Sequence, residues 1–336
     1  MAASSPMWVR ALRGTARLDK AEWSRLDLFS RWLIASRSQV LIMTFISGAI
    51  AGLLALRAGG FDPWLWALTT LGLVLAHATN NILNDLTDYL RGVDHGNYIR
   101  AQYGPHPLEH GFTTPRGLFT YALATGLPAL AIGAYLVALR GPLALGLLLV
   151  GALALLLYTW PLKYLGLGEL TVFVVWGPLM IGGGYYIITG AWDWTAVIAG
   201  IPYALGTTTV LVGKHVDKLE ADRAKGVRTL PVLLGDRPAR YLTVGMMALE
   251  YAVVAYLVAI GFFTPVMLVV AFALPTLVSV WKVFQAPHPT ERPGFFPAEV
   301  WPLWFVAFAF AHNRRFGLLF LLGLVLEIAL RALGVF

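Results

Sequence analysis

The 336-residue chain contains no cysteine. Disulfides, a thiol nucleophile and a cysteine-ligated metal are therefore excluded. Charge is nearly as scarce. Asp, Glu, Lys and Arg make up 13% of the residues, about half of what a soluble domain carries. The first 37 residues are polar and basic, with no short apolar core running into a small-residue cleavage site. No cleaved signal peptide is expected. No short-period repeat is visible. What is plentiful is apolar: 58% of the residues are hydrophobic and the mean hydropathy is +0.70. This is the composition of a polytopic membrane protein. Its net charge of +7 speaks to orientation in the bilayer rather than to nucleic acid, which is not an expected partner. The 12 Trp and 13 Tyr suit belts at the lipid headgroups.

Nine runs are long enough to span: about 38–57, 64–87, 117–139, 142–160, 169–189, 194–215, 240–262, 265–284 and 316–335. A shorter apolar piece, 298–311, contains Pro302 and reads as a re-entrant or interfacial helix. Ahead of the first run, Trp23, Leu26, Phe29, Trp32 and Leu33 recur at helical spacing opposite Arg25, Asp27 and Arg31. That is the pattern of an amphipathic helix on the membrane surface. The expected fold is all-α: a polytopic bundle of nine transmembrane helices around a central cavity. Residues 1–37 form a cytoplasmic N-terminal segment and 38–336 the transmembrane domain. With the N-terminus inside, 22 of the 25 Lys and Arg lie in the cytoplasm, and Arg57, Arg140 and Arg331 lie outside. The long connections, 88–116, 214–240 and 285–315, are then all cytoplasmic. Function on a rigid scaffold tends to sit in such loops, so the site is expected to face the cytoplasm of a cell inner or plasma membrane.

The first of these loops continues an apolar helix through Asn80, Asn81, Asn84, Asp85, Asp88, Arg91, Gly92 and Asp94. His77, Asn81, Asn84 and Asp88 are spaced by 4, 3 and 4, and so share one helical face. Hard oxygen ligands on one face suit Mg²⁺, which held by so few carboxylates completes its shell with phosphate oxygens. The bland reading is a solvated helix end, but charges at a membrane helix are functional by default. The second loop opens with Lys214, Asp217, Lys218, Glu220, Asp222, Arg223, Lys225 and Arg228. Acids there can hold metal, and cations can bind phosphate directly. A short inside connection between them carries Tyr158, Thr159 and one strong cation, Lys163. Lys163 either snorkels to headgroups or reaches inward to a diphosphate.

At these three stretches the sequence resembles the UbiA-type intramembrane prenyltransferases, in the form of the menaquinone branch. The motif carrying the resemblance runs Asn84, Asp85, Asp88, Gly92, Val93, Asp94. It is joined by Tyr158, Thr159, Gly166, Gly168 and Glu169, by Asp222, Arg223, Gly226, Arg228, Thr229 and Leu230, and by Thr114, Pro115 and Arg116. The resemblance covers about residues 30–335. It implies a Mg²⁺-dependent transferase moving a prenyl group from a prenyl diphosphate to a lipophilic acceptor such as 1,4-dihydroxy-2-naphthoate, with membrane lipids around it. It implies Asn84, Asp88, Asp94, Asp217 and Asp222 as metal ligands, and Asp88, Lys163 and Arg228 as the residues assisting ionisation. Asn81, Asn84, Arg91, Tyr158, Lys163, Lys214, Lys218 and Arg228 would bind substrate.

The second motif departs from the family, which places two Asp four residues apart. Four before Asp222 stands Lys218; Asp217 is five before, turned roughly 140° around an ideal helix. Two readings stay open. A local bulge returns Asp217 to Asp222's side, or Lys218 faces the phosphate and one metal ligand is lost. The second would suit a different donor, such as a phosphoribosyl group. Terpene cyclisation is a further alternative. A transporter would show polar residues at mid-membrane depth and inverted repeats. Glu250 and Glu327 lie mid-span, where an ionised acid is costly. Glu327 has Arg331 one turn on as a partner, and Glu250 has none nearby in sequence.

Overall fold

The structure is a computed structural model and describes residues 6–13, 18–96, 105–298 and 300–335. Arg17 and Arg100, counted in the orientation reading, lie outside these. Every regular element among the described residues is helical. In chain order they are α1 (Met7–Arg13), α2 (Lys20–Arg25), α3 (Leu28–Ala35), α4 (Leu41–Arg57), α5 (Pro63–Leu90), α6 (Pro115–Arg140) and α7 (Pro142–Leu157). They continue with α8 (Gly168–Thr189), α9 (Trp194–Asp217), α10 (Leu219–Ala224), α11 (Leu230–Leu234), α12 (Asp236–Ala259), α13 (Pro265–Gln285) and α14 (Phe305–Ala332).

Local chemistry starts and stops these helices. Asp62 accepts from the amides of Trp64 and Leu65, ahead of Pro63 in the first turn of α5. Thr114 and Pro115 do the same for α6, and Asp193 caps α9. A proline at the first helical position costs no hydrogen bond there. Six segments are long and apolar enough to cross a membrane: Ser38–Arg57, α6, α8, α9, α12 and α13. The shorter α7 is wholly apolar. α5 and α14 have 28 residues each, about 42 Å at the helical rise, and carry buried polar residues along their length.

α9 is the axis. Its apolar stretch is 83% buried, against 17% for α6. It packs against α14, α12 and α8, and around it lie Tyr203, Phe316, Phe320, Phe263, Ile50 and Met267. α6 instead leaves Tyr135 and Leu139 exposed, as a helix facing hydrocarbon does. Glu327 is fully buried. It accepts from Arg331 Nε at 3.2 Å, Arg57 Nε at 2.7 Å and the Thr264 amide at 3.2 Å. The expected one-turn pair is therefore one arm of a three-way junction that ties α4, α13 and α14 together.

Two expectations are corrected. The N-terminal apolar stripe is not one helix. Asp19 caps α2 through a capping box and Asp27 caps α3, so the chain breaks at Leu26. The Ser30 hydroxyl and amide both donate to Asp27 and hold its carboxyl below the usual range. Trp23, Leu33 and Ile34 are buried with Ala11 and packed against Phe112, while Phe29 is exposed. The piece 298–311 is not a separate helix either. Phe305 begins α14, three residues past Pro302, and the helix runs unbroken through Arg314 and Arg315.

Candidate active site

The first acidic stretch lies within α5 itself, which stays helical to Leu90. Asn81, Asn84, Asp85 and Asp88 are all buried, so the solvated-end reading does not hold. Asp88 is gripped by Lys163, whose Nζ donates to the two carboxylate oxygens at 2.8 and 2.7 Å. Lys163 is itself buried: the turn Leu162–Leu165 points it inward. Asn84 Nδ2 donates to Asp88 Oδ2 at 3.2 Å and Thr159 Oγ1 at 3.1 Å. Asn81 donates to the Ser36 carbonyl at 2.9 Å.

Arg37, which sequence reasoning missed, completes this layer. Its guanidinium donates to Asn84 Oδ1 at 3.3 Å and forms an ion pair with Asp85. Arg37 is the one non-glycine with positive φ among the described residues, at φ 55°. A side chain there is strained and persists where its surroundings fix it. The one sequence cue was a cation directly ahead of the first span.

Asp94 stands slightly apart. It bonds His106 Nε2 at 2.8 Å, and both are buried. The ligating atoms of Asp85, Asp94 and His106 lie within 4.8 Å of one another. His106 is thus joined to the acidic layer.

The second stretch resolves the Asp217 question. Its two oxygens accept from the amides of Phe305 at 2.8 Å and Val306 at 3.0 Å. Asp217 therefore caps α14 and does not turn toward Asp222, which corrects its expected place among the metal ligands. Helix geometry is the reason: the chain breaks at Lys218 between α9 and α10, with no bulge to return Asp217. Lys218 pairs with Asp222 at 3.2 Å, and both are buried.

The two stretches meet on one side. Val93 and Val227 pack together with Tyr164 and Ala221, and Lys225 Nζ donates to the carbonyls of Gly92 and His95 at 3.1 and 3.3 Å. The Tyr158 carbonyl accepts from the Lys163 amide at 2.9 Å, which ties Tyr158 to the first stretch. Glu169 accepts from His215 at 2.6 Å and from the Leu230 amide at 3.1 Å, locking α8, α9 and α11. Arg91 and Arg228 are not drawn in. Arg91 is exposed and stacks on the Trp160 and Tyr164 rings at 5.1 Å each. Arg228 is exposed on the rim.

Beneath the charged layer opens a chamber of about 890 Å³. Its roof includes Arg37, Asn81, Asn84, Tyr158 and Lys214, and its walls are largely aliphatic side chains of α5, α6, α7 and α8. Asn84, Asp88 and Asp222 offer the hard oxygens that Mg²⁺ requires. Asp88 and Asp222 are each paired with a lysine here, so a divalent cation would take the place of Lys163 and Lys218 on those oxygens. Asp85, Asp94 and His106 form a second group close enough to share a cation.

These features define a class: a helical membrane protein with an apolar chamber next to a layer of paired carboxylates and cations. The chain belongs to the UbiA prenyltransferase family, whose profile matches residues 45–306. It is 27% identical over 208 residues to UbiA prenyltransferase domain-containing protein 1 of Xenopus tropicalis, covering 61% of this chain and 59% of that protein's length. It is 28% identical over 253 residues to digeranylgeranylglyceryl phosphate synthase of Natronomonas pharaonis, covering 73% and 83% respectively. The fold is shared with a UbiA homologue of Archaeoglobus fulgidus bound to DMAPP and Mg²⁺. The TM-score is 0.56 at 20% identity, over 84% of this chain and 99% of that one.

Proposed function

We propose that this protein is a Mg²⁺-dependent intramembrane prenyltransferase, transferring a prenyl group from a prenyl diphosphate to a hydroxylated aromatic acceptor of the 1,4-dihydroxy-2-naphthoate type. Residues 38–336 form the catalytic domain, with nine spans: α4 with its lead-in, α5 to α9 and α12 to α14. The N-terminus and the charged layer face the cytoplasm, and 1–37 is the segment that brings Arg37 into place. The observation carrying this reading is Asp88 bound by Lys163 and joined through Asn84, one helical turn back on α5, to the lining of an apolar chamber.

Asn84, Asp88 and Asp222 would hold Mg²⁺ together with the donor's phosphate oxygens. The ion, when bound, neutralises charge developing on the leaving diphosphate. The chain's own residues do the rest. Lys163, which is bonded to Asp88, would be free to bind the phosphate oxygens with the carboxylate engaged by a metal. Lys218 and Lys214 add fixed positive charge at the roof. Tyr158 lines the chamber, and its ring face would steady positive charge developing on the allylic carbon. The aliphatic walls keep water from that carbon and take the prenyl tail.

The test is release of diphosphate by purified protein given geranylgeranyl diphosphate and Mg²⁺, with and without 1,4-dihydroxy-2-naphthoate. Release that needs the acceptor supports transfer. Release without it would assign cyclisation instead. One observation supports a second reading. Lys218 occupies the place of an acid beside Asp222, which suits a donor richer in phosphate charge, such as a phosphoribosyl diphosphate. The name of the Natronomonas relative adds a glyceryl phosphate lipid as an acceptor class to try.

A further inference from the structure

The chamber is not apolar throughout. Three helical turns below Asp88, about 16 Å along α5, His77 reaches its wall. His77 belongs to the same helical face as Asn81, Asn84 and Asp88, but it is too deep to touch a phosphate held at Asp88 and Lys163. Its Nδ1 is engaged by Thr44 Oγ1 at 2.8 Å, and Thr44 is fully buried. That bond fixes the ring and leaves Nε2 as the nitrogen available to a ligand, in the way a neighbouring group commonly orients a working histidine.

Opposite stands Trp176. Its ring meets the His77 ring edge-on, with centroids 5.0 Å apart, and it lines the same chamber. Trp176 is 7% exposed, and its Nε1–H is buried without an acceptor. Asn80 Oδ1 and Thr69 Oγ1, on two further lining residues, are likewise buried and unsatisfied. A buried donor left unpaired carries its full desolvation cost, so such a group in a native wall calls for an explanation. A hydrocarbon tail cannot satisfy it. The backbone carrying Trp176 is also unusual: Val175–Gly182 is a π-helical stretch within α8. Such stretches are rare and appear mostly at functional sites.

We propose that His77 and Trp176 form the binding site for a ring oxygen of the aromatic acceptor. The indole N–H donates to a carboxylate, phenolate or carbonyl oxygen, and His77 Nε2 engages the same or an adjacent oxygen. Thr44 is a positioning residue that acts through His77. The acceptor thus lies across the chamber, with its polar edge anchored at mid-depth and its nucleophilic carbon directed up toward the charged layer. This deepens the prenyltransferase reading and rests on it.

The experiment measures thermal unfolding of the full-length protein in detergent with three probes: 1,4-dihydroxy-2-naphthoate kept reduced, naphthalene, and geranyl diphosphate with Mg²⁺. In the wild type, the naphthoate raises the unfolding midpoint and naphthalene does not. In Trp176→Phe and His77→Leu, half-saturation by the naphthoate weakens about tenfold, the effect of one lost hydrogen bond to a buried polar group. Protection by geranyl diphosphate with Mg²⁺ stays at wild-type level. His77→Gln, which keeps a polar group, recovers part of the loss, and Thr44→Val shows a smaller weakening. If His77→Leu does not fold, Trp176→Phe and Thr44→Val decide.

Three results overturn the inference: naphthoate protection unchanged in the variants, naphthoate protection absent from the wild type (an ordered water only), or loss of geranyl diphosphate protection in place of the naphthoate's. Failure of the underlying reading looks different. The wild type would then not respond to geranyl diphosphate and Mg²⁺ at all.

Discussion

Lys163 and Asp88 are 75 residues apart in sequence, yet the lysine Nζ bonds both oxygens of the carboxylate inside the bundle. A buried pair of this kind is weak evidence for stability by itself, because desolvation offsets much of the attraction. Its value lies in what either partner can do when the other is taken by a ligand.

Breaking the pair from one side leaves a charge stranded. Lys163→Met and Asp88→Asn are each expected to abolish diphosphate release. Lys163→Met should also destabilise the protein by about 3–5 kcal/mol. The double variant should be more stable than the sum of the two singles predicts. Unfolding midpoints of all four proteins check this, and simple additivity would contradict it.

Asp217 and Asp222 should separate cleanly. Asp217→Ala removes the acceptors for the first amides of α14, a loss of about 0.5–2 kcal/mol. Diphosphate release should persist once the protein is folded. Asp222→Ala should lose turnover with a smaller effect on the unfolding midpoint. The reverse assignment of effects would return Asp217 to the site.

Metal removal should be complete and reversible. Chelation by EDTA is expected to stop diphosphate release, and Mg²⁺ or Mn²⁺ to restore it, since both suit oxygen donors. Calorimetry of Mg²⁺ with geranyl diphosphate present should show binding that Asn84→Ala weakens. Equal turnover with and without chelator would remove the metal from the reaction.

The chamber can be shortened without strain. Gly151 lines it, and a Cβ built there meets nothing within 4 Å. Gly151→Phe should lower kcat/KM for geranylgeranyl diphosphate about tenfold or more while leaving dimethylallyl diphosphate nearly unchanged. A uniform loss across donors would mean that the ring blocks access to the roof instead.

Gly206 offers a different test. A Cβ there would lie 2.4 Å from Asn313 Oδ1 and 3.3 Å from Glu250 Oε1, in the core where α9, α12 and α14 meet. Gly206→Ala is expected to destabilise by about 1–3 kcal/mol through overpacking. Thermal unfolding in detergent reads this, and a neutral result would show that the Asn313 amide swings freely.

Much of this was legible in the sequence because helix periodicity and membrane hydropathy act locally. The 4, 3, 4 spacing placed His77, Asn81, Asn84 and Asp88 on one face, and the structure keeps them there. Lys163 was visible as a lone cation in a short connection, though only packing shows that it turns inward. Three features were hidden. Arg37 reaches Asn84 through a left-handed backbone that no composition signals. Asp217 is a cap for a helix 88 residues away, and long-range capping leaves no periodic trace. The start of α14 was obscured because two arginines, Arg314 and Arg315, interrupt its apolar run; both are exposed, so the helix continues through them without burying a charge.

α7 has 16 residues, about 24 Å of helix, whereas a hydrocarbon layer is about 30 Å thick. As one of the nine proposed spans, it would require lipid beside it to thin, or headgroups to dip, at a modest energetic cost per ångström of mismatch. α7 is also one wall of the chamber, with Leu148, Gly151 and Leu155 on its inner side. On the proposed topology the bilayer would be deformed next to the wall past which a prenylated product would leave. A membrane of shorter acyl chains should ease that departure, and a thick sterol-rich one should slow it.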